Sequence, residues 1–122
     1  MKPKTIMIAD DDEDLLFLLK SQLTSLGYLV YSCHKGKSII EKLIKEKPNI
    51  ILLDVNMQGV DGDELCRQIK KDKRFSEIKI LIMSGKYDVE RISLSCGADG
   101  YISKPLSYSD IQNKISAIFF EQ

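Results

Sequence analysis

Ile50-Ile51-Leu52-Leu53-Asp54 sets four branched aliphatic residues in a row and closes them with a carboxylate; Val55-Asn56-Met57-Gln58-Gly59 follows at once. A run this short and this apolar reads as a strand buried on both faces, as in a parallel sheet. A carboxylate at its C-terminal end leaves the core where an open α/β sheet has its ligand crevice. Two further runs end in polar groups able to meet it there. Ile6-Met7-Ile8-Ala9 leads into Asp10-Asp11-Asp12, and Ile80-Leu81-Ile82-Met83 leads into Ser84. A third stretch, Gly100-Tyr101-Ile102-Ser103, delivers Lys104. Carboxylates, a hydroxyl and an amine at adjacent strand ends make a site.

Around these runs the chain alternates short apolar segments with longer periodic ones. Strands are expected at Thr5–Ala9, Tyr28–Ser32, Ile50–Asp54, Ile78–Met83 and Gly100–Ser103. Between the first two, Leu16, Leu19, Leu23 and Leu26 form one helical stripe. Asp12, Glu13 and Asp14 suit the positive end of that helix, and Gly27 is placed to stop it. Ile39, Ile40, Leu43 and Ile44 share a face of a second helix limited by Pro48. Leu65, Cys66 and Ile69 mark a third helix, and Val89 and Ile92 a fourth over Asp88 to Ser95. Ile111, Ile115, Ile118 and Phe119 mark a fifth, with Ser107 or Ser109 as cap after Pro105. Strict β-α alternation implies α/β architecture: a doubly wound, five-stranded parallel sheet with right-handed crossovers and helices on both faces. With no internal linker, repeat or low-complexity segment, residues 1–122 are expected to be one domain.

Hydrophobic residues make up 43% and charged residues 30% of the 122, as in an ordinary globular domain with a core. Eighteen basic and eighteen acidic residues cancel, which argues against a nucleic-acid binder or one of anionic membranes. No apolar run approaches bilayer length, and the N-terminal residues show no signal-peptide core. Cys33, Cys66 and Cys96 are widely spaced and read as buried structural thiols of a reducing compartment. His34, the single histidine, reads as a surface loop residue, which argues against a histidine dyad or a zinc site.

Taken together, Asp10-Asp11 after the first strand, Asp54 after the third, Ser84 after the fourth and Lys104-Pro105 after the fifth resemble the receiver domain of two-component response regulators. The match runs from Thr5 to the last helix, with its parts in the family's order. Each part alone has a plainer reading: an acidic helix start, an Asp in a turn, a Ser-Gly turn, a solvated lysine. The resemblance implies the flavodoxin-like strand order 2-1-3-4-5, a topology whose ligands bind at the switch point of the sheet. It implies that Asp54 is the nucleophile that becomes an aspartyl-phosphate, a reaction the domain assists itself. Mg²⁺ would be held by Asp11, Asp54 and the backbone carbonyl of Asn56, with Asp10 in the same acid pocket. Lys104 and Ser84 would contact phosphoryl oxygens, and Tyr101 would be the aromatic switch residue. Asn56 and Lys86 are the side chains expected to overhang the site.

The same resemblance implies partners. A histidine kinase or phosphotransfer protein would donate the phosphoryl group, and a downstream effector would read the face of helix 4, strand 5 and helix 5. A homodimer is left open, a bacterial cytoplasmic location is the default, and no output domain is expected in these residues. Gln58 stands where proline is common, Ser84 where threonine is more frequent and Gly85 where alanine is common, which bears on loop rigidity, switch coupling and phosphoryl lifetime. Rival readings fail on particular residues. A calcium loop at Asp54-x-Asn56-x-Gln58-Gly59 has Leu65 where a bidentate glutamate is needed. An aspartyl phosphatase would need Asp-x-Asp-Gly-Thr after the first strand, and acids there would repel a flavin phosphate. The alternative with the same fold is a receiver-like interaction module that works without phosphorylation; such modules typically lack one or more of the groups present here.

Overall fold

Side-chain alternation along the central strand divides the core in two. In the computed structural model, which describes residues 3–85 and 88–120, Ile51 and Leu53 enter one apolar cluster, and Ile50 and Leu52 enter the other. Five parallel strands, β1 (Thr5–Ala9), β2 (Leu29–Cys33), β3 (Ile50–Asp54), β4 (Lys79–Ser84) and β5 (Gly100–Ser103), pair in the order β2-β1-β3-β4-β5. The expected strand order is the observed one. β3 lies in the middle, and all five of its residues are buried.

The helices are α1 (Glu13–Ser25), α2 (Ile39–Glu46), α3 (Gly62–Lys71), α4 (Val89–Cys96) and α5 (Tyr108–Phe120). Leu16, Leu19 and Leu23 of α1 and Ile111 and Ile115 of α5 pack on one sheet face. Ile39 and Leu43 of α2, Leu65, Cys66 and Ile69 of α3, and Val89 and Ile92 of α4 pack on the other. Burial of such side chains stabilises by about 1.5–3 kcal/mol each, and it specifies which face each helix takes. No helix among the described residues is long and apolar enough to cross a membrane.

Local chemistry sets the boundaries. Asp12 caps α1 by accepting from Leu15 N–H at 3.1 Å, and Gly27 follows its end in the left-handed region at φ 97°. Asp61 caps α3 by accepting from Asp63 and Glu64 N–H. Ser107 opens α5 by accepting from Asp110 N–H at 3.0 Å. Several details differ from the sequence expectation; Ile44, expected on the apolar face of the second helix, is 43% exposed. β2 and β4 each begin and end one residue later than expected, and Leu26 lies just outside α1, 39% exposed. The three cysteines are free and buried, and His34 is exposed.

Candidate functional site

Asp10, Asp54, Ser84 and Lys104 belong to four strand ends, and hydrogen bonds between those ends set their depth. Asp10 N–H donates to Cys33 O at 3.1 Å, Val55 N–H to Met83 O at 3.1 Å, and Lys104 N–H to Ser84 O at 2.9 Å. The sheet ladder thus continues one residue past β1, β3 and β5, which brings the polar groups to one level. Asp10 and Ser84 have no exposure and Asp54 has 3%. Asp11, next in the chain, is exposed at the mouth.

Lys104 closes the acid pocket from below. Its Nζ donates to Asp10 Oδ2 at 2.7 Å and stands 3.5 Å from Asp54 Oδ2. A charge-assisted bond of the shorter length is the strong kind. The Lys104–Pro105 peptide that follows is cis. Each buried acid also bends its own loop back: Asp10 Oδ1 accepts from Asp12 N–H at 3.0 Å, and Asp54 Oδ1 from Asn56 N–H at 3.0 Å.

Two contacts cross between loops. Asp11 Oδ2 accepts from Gln58 N–H at 3.0 Å, joining the β1–α1 loop to the β3–α3 loop. A proline at position 58 would have no N–H to give. Asn56 Nδ2 donates to Ser84 Oγ at 3.2 Å, so the Asn56 side chain does lie over the strand ends. Gly62 lets the start of α3 seat on β3's exit, since a Cβ there would lie 2.2 Å from Val55 Cα.

The pocket perturbs its own acids. Burial pushes the Asp54 carboxyl above the usual range, and the charge of Asp10 adds to this; the Asn56 N–H and Lys104 work against it. For Lys104, burial alone would lower the pKa, but the hydrogen bond to Asp10 and the charges of Asp10 and Asp54 outweigh it and raise the value. The site therefore keeps a fixed ammonium beside a carboxylate that is costly to ionise.

Asp10, Asp11 and Asp54 each bring a carboxylate oxygen to within 4.8 Å of the others. Hard oxygen donors, two buried and one open to solvent, fit a magnesium-sized cation that keeps several waters.

Tyr101 lies on β5, apart from the acids. Its hydroxyl donates to Glu90 Oε2 on α4 at 3.1 Å, and Lys114 Nζ of α5 stands 4.9 Å from its ring centre. The Glu90 hydrogen bond and charge raise the phenol's pKa. Lys86 lies outside the described residues. The basic run Lys35-Gly36-Lys37 beside the surface residue His34 escaped the sequence reading, although it follows β2 at the same end of the sheet. A basic run directly after a strand was the available signal.

A five-stranded parallel sheet in this order, with an acid cluster and a lysine at its carboxyl edge, defines a receiver domain of the kind found in two-component response regulators. The chain belongs to the response regulator receiver domain family, which it matches over residues 6–116. It is 33% identical over 115 residues to the alkaline phosphatase synthesis transcriptional regulatory protein PhoP of Bacillus subtilis (strain 168), covering 94% of this chain and 48% of that protein. The chain spans about half the length of the curated relatives it matches. A response regulator receiver domain protein from Methanospirillum hungatei JF-1 is 30% identical with a TM-score of 0.89, over 98% of this chain and 96% of that one. A two-component response regulator from Clostridium difficile is 26% identical with a TM-score of 0.88, over 97% of each chain. Response regulator receiver domains interact with kinases and effectors, and the acid cluster here is consistent with phosphorylation-dependent switching.

Proposed function

We propose that Asp54 accepts a phosphoryl group from a histidine kinase or phosphotransfer protein and that the acylphosphate shifts the face made by α4, β5 and α5. The observation that carries this is the position of Lys104 Nζ, 2.7 Å from Asp10 and 3.5 Å from Asp54. One fixed positive charge thereby stands beside the carboxylate that must approach an anionic phosphoryl group.

An Asp54 oxygen attacks phosphorus; the P–N bond of the donor phosphohistidine breaks, and the ring nitrogen keeps the electron pair. Nothing in this step needs a histidine of the receiver, since positioning and charge stabilisation carry phosphoryl transfer. Mg²⁺, held by Asp11, Asp54 and the Asn56 carbonyl with Asp10 orienting its water, would supply charge neutralisation. Lys104 meets one phosphoryl oxygen and the Ser84 hydroxyl another.

The response begins when Ser84 gives up its bond with Asn56 for the phosphoryl group. Tyr101 then exchanges its Glu90 hydrogen bond for an inward position. Its present partners on α4 and α5 make it the element through which one new anion biases that face. The domain serves as a switch within a bacterial cytoplasm, and its effector reads α4, β5 and α5.

Acetyl phosphate with Mg²⁺ tests the acceptor. Intact-mass measurement should show one phosphoryl group, stable in acid and labile in alkali, and Asp54→Asn or chelation should abolish it. Labelling that persists in the variant would sink the assignment. A wild-type chain that takes no label from any donor would point instead to the interaction module that works without phosphorylation.

A further inference from the structure

Beside the acid pocket a second concavity of about 330 Å³ opens between the β2–α2 and β3–α3 loops, lined by Asp11, His34, Lys35, Gly36, Lys37 and Gln58. Its wall is shared with the acid pocket, because Asp11 bonds Gln58 N–H across the two loops. The basic loop is seated, not merely nearby. A Cβ on Gly36 would lie 2.0 Å from Val60 Cγ2, so only glycine lets the loop rest on the β3–α3 loop. Gly36–Ser38 forms a single 3-10 turn from that seat, with Lys35 and Lys37 on either side of the glycine and both exposed. Among the described residues neither lysine forms an ion pair.

We propose that this cleft is a docking subsite for the acyl end of a small acyl phosphate, with the Lys35 and Lys37 ammonium groups receiving the leaving carboxylate. The inference rests on Asp54 being the phosphoacceptor. Three carboxylates and one ammonium make the pocket itself unwelcoming to an anionic donor, and two cations lining the cleft beside it raise the local concentration of such a donor. The cleft's volume matches a small ligand and not a protein surface.

The chemistry balances without a proton donor. An Asp54 oxygen forms the new bond to phosphorus, the bond from phosphorus to the bridging oxygen breaks, and the departing carboxylate keeps the electron pair. Negative charge grows on that carboxylate, which is what the two lysines are placed to meet. Phosphoramidate, whose nitrogen departs as neutral ammonia, gains nothing comparable. The lysines therefore set donor preference.

Two measurements on the whole chain with saturating Mg²⁺ test this. In the first, acetonylphosphonate, which cannot transfer its phosphorus, is titrated while amide resonances are followed. The Gly36, Lys37 and Gln58 signals should move saturably, and Lys35→Gln with Lys37→Gln should weaken binding about fivefold at low salt through lost attraction for the phosphonate dianion, a scale comparable to two exposed ion pairs. The difference should close near 1 M salt, where the screening length is about 3 Å. Equal affinity in wild type and variant overturns the subsite, whether or not Asp54 takes a label. In the second, the ratio of labelling rates from acetyl phosphate and phosphoramidate should fall about fivefold in the double variant. An unchanged ratio with Asp54 still labelled overturns the subsite and leaves the acceptor standing. An analogue that docks in the cleft while no donor labels Asp54 does the reverse. Slowed transfer from a phosphotransfer protein alone, with acetyl phosphate unaffected, would assign the loop to protein docking and also overturn it.

Discussion

Lys104 Nζ donates to Asp10 Oδ2 at 2.7 Å, and this bond holds the charge of a carboxylate with no exposure. Truncating the lysine leaves that carboxylate and Asp54 facing each other. Lys104→Met should therefore destabilise the fold by about 1–3 kcal/mol, below the usual cost of breaking a buried pair because Lys104 is partly solvated. The raised pKa of Lys104 fixes the sign with pH. Its contribution is whole below the ordinary 10.5 and is lost as pH climbs through the higher folded value. Urea unfolding at pH 7 and at a series of pH values rising from 10.5 should show the wild-type advantage and then its loss. Equal stabilities at pH 7 would contradict the pairing.

Asp54 carries the opposite sign. Its carboxyl titrates above the ordinary 3.8 in the fold, so its favourable contribution is present below that pH and is lost as pH rises through the folded value. At neutral pH the ionised side chain costs stability. Asp54→Asn should gain on the order of 1 kcal/mol at pH 7 in chelator. The gain should shrink toward pH 3.5, as urea midpoints would record. A variant no more stable than wild type at pH 7 would mean that the pocket compensates the charge fully.

Asp11 is the solvent-facing donor of the acid cluster. Asp11→Asn should weaken Mg²⁺ binding at least about tenfold, measured by titration calorimetry. Mg²⁺ should also raise the wild-type melting temperature by mass action and raise that of the variant less at the same concentration. Identical calorimetric curves would remove Asp11 from the donor set.

Two glycines near the site should respond differently to the same change. Gly62→Ala drives a methyl against Val55 backbone and should cost about 1–3 kcal/mol or more, since backbone cannot step aside as a side chain can. Gly59 has φ 79° and nothing within 4 Å of its would-be Cβ. Gly59→Ala should cost only about 1–2 kcal/mol of left-handed strain. Thermal unfolding in the reverse order would show that α3 approaches β3 less closely than the Gly62–Val55 contact requires.

The apolar runs made β1, β3 and β5 legible to the residue. β2 and β4 start one residue late for a reason no periodicity carries. Tyr28 N–H is taken by Leu23 O at the end of α1, and Ile78 N–H by Phe75 O in the short turn before β4. Leu26 has the spacing of the α1 stripe, but its N–H already turns back to Leu23 O, and its side chain lies 39% exposed. In the site, strand parity and the order of polar residues sufficed to bring Asp10, Asp54, Ser84 and Lys104 together. Asp11 to Gln58, Asn56 to Ser84 and the basic cleft depend on how loops lean. That is set by Gly59 in the left-handed region and by Gly36 against Val60, which are facts of three-dimensional fit.

The bond from Lys104 to Asp10 spans 94 positions of the chain. Synthesis adds residues one after another, at roughly 5–20 per second, and the earlier strands are available to fold before the last. A nascent chain that has emerged only through β4 holds its three acids without their counter-charge. The pocket receives the Lys104 ammonium only when β5 is laid beside β4. The site's counter-charge is thus carried by the last strand of the sheet to be made, and it arrives in one step and not by degrees.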